Sequence, residues 1–225
     1  MIWIIFIGIA VISYLVQANL KNKFEKYSKM PLMNGMTGRD VAIKMLHDNG
    51  IYDVKVTSTP GMLTDHYNPA NKTVNLSEGV YGSCSVAAAA VAAHECGHAI
   101  QHHVGYAPLK LRSVSVPVAN FGSKLSWPLI LIGLLLGSTG LAKLGVILFL
   151  FVVFFQVVTL PVEFNASRRA VKVLNERNML AGNELSSAKK VLSAAAMTYV
   201  AAVFSSVLQL LRLVLLVQGS DRRRR

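Results

Sequence analysis

Residues 2–19 (IWIIFIGIAVISYLVQAN) carry no charge. That is long enough, as a helix, to cross a hydrocarbon core of about 30 Å. No basic residue precedes the stretch and no convincing small-residue cleavage site follows it, so it is expected to be an uncleaved anchor rather than a signal peptide. Lys21, Lys23, Lys26 and Lys29 come next. The positive-inside rule then puts the chain in the cytoplasm from residue 21 onward.

Three more apolar runs follow. Residues 126–137 and 141–160 flank Gly137-Ser138-Thr139-Gly140 and read as a helical hairpin, ended by Pro161. The first run is short and borrows from about residue 118 to span. Pro117 and Gly122 are expected to interrupt residues 109–125. Residues 195–217 contain Gln209 and Arg212. If they span, the tail Arg222–Arg225 lands outside; a re-entrant or interfacial helix keeps it inside. Three and four spans both remain open. Arg212 either snorkels to the interface or pairs with an acid.

Composition narrows the class. The chain is 53% hydrophobic and 15% charged, with a formal net charge of +12 over 225 residues. Ordinary soluble domains are about a quarter charged, so a fully soluble protein is excluded, as is a disordered one. Aromatics are not interleaved with Lys and Arg, so no nucleic-acid partner is expected. Much of the positive charge follows span ends, at Lys21–Lys29, Arg168–Lys172 and Arg222–Arg225. It fits a bilayer with anionic lipids. Cys84 and Cys96, twelve residues apart, are expected on one helix, about 18 Å apart and too far for a disulfide. Both are expected to be small buried side chains.

Residues 21–112 have soluble character. Thr37 and Asp40 form a capping-box pattern before Val41, Ala42, Met45 and Leu46, with Gly50 as a C-cap. Val54–Val56, Leu63–Tyr67 and Thr73–Leu76 read as short strands; the last two flank Asn68-Pro69-Ala70-Asn71 and form a hairpin. Residues 84–104 are alanine-rich and helical, closed by Gly105.

That helix carries His94-Glu95-Cys96-Gly97-His98. Residues four apart on a helix differ by about 40° in azimuth and 6 Å in rise, so both imidazoles can share one Zn2+ ion. Glu95, about 100° round from His94, can reach an attacking water without being a ligand and act as its base. His102 and His103 are read as a polar helix end. His94 and His102 differ by about 12 Å in rise, which bonds of about 2 Å cannot bridge. The third ligand is then a carboxylate among Glu163, Glu176, Glu184 and Asp221. Asp221 lies in the tail, and Glu176 and Glu184 lie in polar, solvated contexts. Glu163 sits in the apolar frame Leu160-Pro161-Val162-Glu163-Phe164, where a carboxylate is costly unless paired or metal-bound. Glu163 is therefore the expected ligand.

The segment Glu163-Phe164-Asn165-Ala166-Ser167 resembles the E-F-x-A-D segment of membrane gluzincins such as HtpX and the CAAX prenyl proteases. The chain is more similar to the bacterial YugP-like family described as putative neutral zinc metallopeptidases. That resemblance runs through Asp65-His66-Tyr67-Asn68-Pro69, Val74-Asn75-Leu76-Ser77, His94–His102, Gly105-Tyr106 and Thr198-Tyr199-Val200. It implies zinc-dependent peptide-bond hydrolysis at a membrane, with Glu163 as third ligand. Ser167 stands where the HtpX-type pattern has an aspartate; Ser167 or Asn165 is expected to hold a ligand histidine by its other ring nitrogen. Tyr199 is either a donor to the developing oxyanion or a packed tyrosine. Asp65 and His66 either line the cleft or cap the turn. The 63–77 hairpin can offer an edge strand to a peptide.

The expected fold is mainly α with a small β-hairpin or sheet, in a multi-pass membrane protein carrying a gluzincin-like zinc peptidase domain. Residues 1–20 are the anchor and 21–125 the cytoplasmic metallopeptidase part. Residues 126–161 are the membrane hairpin. Residues 162–195 form a cytoplasmic helix with the third ligand, and 196–225 an apolar membrane-associated helix with a basic tail. The expected activity is a zinc metalloendopeptidase of the plasma membrane, acting on membrane proteins or peptides from its cytoplasmic side. Membrane-protein partners or a homo-oligomer are compatible with it. The alternative is a zinc-binding scaffold with little proteolysis. A transporter finds few polar residues in the spans, only Lys143, Gln156, Gln209 and Arg212.

Overall fold

The computed structural model describes residues 2–222, with side chains from residue 7 to residue 219. In order, the elements are α1 (Ile2–Ser28), α2 (Gly38–His47), β1 (Lys55–Thr59), β2 (His66–Asn68), β3 (Thr73–Ser77), α3 (Glu78–Tyr81), α4 (Val86–His103), α5 (Ala107–Leu135), α6 (Thr139–Glu176) and α7 (Gly182–Arg222). The fold is mainly helical with a small sheet. The chain divides into two compact units: residues 14–109 with 162–198, and residues 1–13 with 110–161 and 199–225.

The first unit is built around α4. From Val86 to Ala93 nearly every side chain is buried, which an alanine-rich surface allows because it brings neighbours close at little entropic cost. Ser85 caps the helix by accepting the Ala88 N–H at 3.2 Å. The helix ends in a Schellman arrangement. Gly105, at φ +66°, donates its N–H to His102, and Tyr106 donates to Gln101. Thr37 and Asp40 form the reciprocal capping box of α2, whose Val41, Ala42, Met45 and Leu46 join the same core. The strands lie in the order β1-β3-β2, with β1 parallel and β2 antiparallel to β3. The hairpin is therefore present, with β2 as an edge strand. It starts at His66 rather than Leu63, because Leu63 adopts φ 57°, which a strand does not accept.

The second half of α6 lies against α4. Its Val162, Glu163, Ala166, Ala170 and Leu174 form one buried stripe at helical spacing. A Cβ on Gly97 would meet the Ala166 carbonyl oxygen at 2.6 Å, so only glycine permits this approach.

In the other unit, α5 and α6 are joined by a short turn with Gly137 at φ +72°. Small residues set their spacing. A Cβ on Gly122 would lie 2.8 Å from Leu148 O, and one on Gly145 2.8 Å from Ser126 O. Large apolar side chains such as Leu131, Ile147 and Leu215 face outward. Among the described residues, three helices, Ala107–Leu135, Thr139–Glu176 and Gly182–Gly219, are long and apolar enough to cross a membrane. The expected anchor at residues 2–19 is the first part of α1, but the side chains of residues 1–6 lie outside the described residues, as do those of Asp221 and Arg222 and the whole of residues 223–225 of the tail.

Four local expectations are corrected. Residues 109–125 are uninterrupted helix, and α6 runs through Pro161 to Glu176. Each proline costs one backbone bond, which an apolar helix packed on neighbours tolerates. Cys84 is exposed and precedes α4, whose N-cap is Ser85; only Cys96 is buried. Glu184 is buried, because its Oε1 accepts the Met33 N–H at 2.8 Å.

Gly97→Ala is expected to destabilise the protein by about 1–3 kcal/mol through overpacking and to lower its metal content. Gly140→Ala, with open space around its Cα, is expected to leave both unchanged. Thermal unfolding in detergent and metal analysis of the purified variants check this.

Candidate metal centre

His94 and His98 project from one side of α4 towards Glu163 on α6. Glu163 Oε2 lies 3.1 Å from His94 Nε2 and 3.5 Å from His98 Nε2. The rings stand nearly perpendicular, with centroids 4.8 Å apart. One ligand atom from each of the three residues falls within 4.8 Å of the others. Among the described residues this is the group that can hold a metal ion.

The donor set fits zinc. Bonds of about 2 Å in a tetrahedral site separate neighbouring ligand atoms by about 3.3 Å, between the two distances seen here. Two imidazoles and one carboxylate also leave a fourth position open, as catalytic zinc sites do. The carboxylate is only 2% exposed, and burial of such a charge needs compensation of this kind. Burial alone would lower the His98 pKa. The hydrogen bond to Glu163 and the charges of Glu95 and Glu163 outweigh it, so the pKa is raised from its ordinary value of 6.5.

Glu95 faces elsewhere on α4, as its azimuth requires. It is buried, and its Oε2 accepts the backbone N–H of Tyr67 on β2 at 3.0 Å. The edge strand and the carboxylate beside the candidate metal ligands are thus in direct contact. Tyr67 also hydrogen-bonds His102 Nδ1 through its hydroxyl at 2.8 Å. His102 and His103 are exposed at the end of α4, outside the ligand group.

The two imidazole rings are held from behind. Ser167 Oγ lies 3.1 Å from His94 Nδ1. His98 Nδ1 lies 3.0 Å from Gln101 Oε1. Asn165 meets Gln101 rather than a histidine, at 3.1 Å, and accepts from Arg169 Nε at 2.8 Å. Gln101 is fully buried, and sequence reasoning missed it. Its signal was present: it is a polar residue three positions after His98, on the same face of α4.

Asp65 is committed to the hairpin. It accepts from the Ser77 N–H at 2.7 Å and from the Ser77 hydroxyl. His66 is exposed, with Nδ1 on Thr64 O and Nε2 beside Asn75. Neither belongs to the ligand group. Tyr199 lies on α7 in the other unit and is 37% exposed. Of the other carboxylates considered as ligands, Glu176 is exposed beside Lys172, and Glu184 holds Met33.

The family described as "Putative neutral zinc metallopeptidase" matches residues 2–218. The chain is 49% identical over 220 residues to a Bacillus subtilis (strain 168) protein named "Putative membrane protease YugP", covering 96% of this chain and 98% of that protein. No solved structure matches it. With a zinc-compatible ligand group in the first unit and near full-length similarity on both counts, the chain belongs to the putative neutral zinc metallopeptidase family.

Proposed function

We propose that this protein is a membrane-embedded zinc metalloendopeptidase that hydrolyses peptide bonds of membrane-proximal proteins or peptides. The observation that carries the reading is the convergence of His94, His98 and Glu163 with Glu95 on the same helix, in contact with an edge strand.

His94, His98 and Glu163 would hold one Zn2+ ion, which supplies Lewis acidity towards a carbonyl oxygen and a water. The remaining work falls to the chain. The β2 edge, whose Tyr67 N–H is held by Glu95, would pair with an extended peptide through its remaining main-chain groups and so bring that peptide to Glu95. Glu95 takes one proton from water as the oxygen adds to the scissile carbonyl carbon. It then gives that proton to the departing amine as the C–N bond breaks. Ser167 and Gln101 keep the two imidazoles oriented.

Three apolar helices and a membrane-protease relative support a membrane location. The apolar run of α6 ends at Leu160, one turn before Glu163, which supports cleavage close to the bilayer. The lysines after residue 20 and the basic stretch at 168–172 support a multi-pass plasma-membrane protein with its active site on the cytoplasmic side. Anionic lipids are the expected surroundings.

Glu95→Gln is expected to retain zinc and lose peptide cleavage by about 10²–10⁴-fold, read as hydrolysis of a membrane-protein substrate in proteoliposomes. A scaffold without peptidase activity shows no such difference. The raised His98 pKa gives a second expectation. In metal-free protein its stabilising effect is fully present below about 6.5 and is lost as pH rises through the raised value. Zinc takes the nitrogen that the proton leaves, so zinc-loaded protein gains on the metal-free form as pH rises. Thermal unfolding with chelator and with zinc, across pH 5.5 to about 8.5, checks both signs.

A further inference from the structure

Behind His98 runs a chain of hydrogen bonds whose polarity is fixed at its far end. Arg169 has only donors. Its Nε–H points at an Asn165 side-chain atom 2.8 Å away, which must therefore be the amide oxygen. The guanidinium is held over the Tyr106 ring, 6.0 Å from its centroid. Asn165 Oδ1 faces Gln101 at 3.1 Å, and the Val162 carbonyl faces the same Gln101 atom at 2.7 Å. Both are acceptors, so that atom must be the NH2 group, with each hydrogen used. Gln101 is fully buried, so no water offers it another arrangement. Its Oε1 is left facing His98 Nδ1 at 3.0 Å and can only accept. For that contact to be a hydrogen bond His98 must carry a proton on Nδ1, so the nitrogen left to shed its proton is Nε2, on the side of Glu163.

We propose that Gln101 is a positioning residue that holds His98 in the metal-ready tautomer, and that Asn165 and Arg169 fix the orientation of Gln101. The inference rests on the metal-site reading given above. The two histidines differ in this respect. Ser167 Oγ can donate or accept, so it orients His94 without choosing its tautomer. His98 has its tautomer imposed before any metal arrives, and a reversed Gln101 amide would set three acceptors against one another.

The test uses full-length protein in detergent and zinc alone, competed against a chelator. Gln101→Met, which keeps the length but loses the amide, is expected to weaken zinc binding about 10–100-fold. Asn165→Leu is expected to weaken it in the same direction. Asn165→Asp, whose carboxylate accepts from both Gln101 and Arg169, is expected to restore it. If Gln101→Met does not fold, the Asn165 pair decides. The second readout is the histidine ¹⁵N spectrum of metal-free protein at alkaline pH, where the ring is neutral. It should show His98 protonated on Nδ1 in wild type and redistributed towards Nε2 in Gln101→Met. Wild-type zinc affinity in folded Gln101→Met, equal affinity in the two Asn165 variants, or an Nε2-protonated His98 in wild type overturns the proposal. A wild type that takes up no zinc overturns the metal reading instead, and the ¹⁵N spectrum still decides the tautomer.

Discussion

The site depends on how closely two helices approach. Gly97 sits between His94 and His98 in sequence, and the Ala166 carbonyl of α6 occupies the space its side chain would need. Glu163, three residues before Ala166, is thereby carried to within 3.1 and 3.5 Å of the two imidazoles. A buried carboxylate without partners would be costly, so the same geometry that builds a metal site also makes burial of Glu163 tolerable. Wider spacing between α4 and α6 would lose both.

The rest of the first unit serves that contact. The alanine face of α4 lets α2 and the sheet pack closely. The polar side chains of α4 that do become buried, Glu95, His98 and Gln101, each have a named partner: the Tyr67 amide, Glu163, and the Val162–Asn165 pair. Unsatisfied groups in such an interior would destabilise it. Polar satisfaction and site geometry are therefore one set of bonds, with the edge strand β2 joined to them through Glu95.

Much of this was legible in the residues. The four-residue spacing of His94 and His98 fixes a shared direction on any helix. Glu163 stood out because a lone carboxylate in an apolar frame needs a reason. The Thr37–Asp40 box and Gly105 marked helix ends that the structure contains. Prolines misled at residues 117 and 161, because long helices in apolar surroundings absorb a missing bond that an exposed helix would not. Glu184 and Cys84 were misread because their burial is set by distant backbone, Met33 for the one and the strand-like Pro31–Ser85 bridge beside the other. Gln101 was missed although its spacing from His98 was visible; Arg169 was missed because its contact with Asn165 acts through Gln101 on another helix, and no pattern within α6 reports that.

The proposed metal centre stands or falls on Glu163. Its most direct test is the metal content of purified full-length wild type beside Glu163→Ala, with folding checked by circular dichroism. About one zinc per wild-type chain is expected, with a large loss in the variant, since a catalytic site needs three protein ligands. Zinc bound in full by a folded Glu163→Ala protein would contradict it.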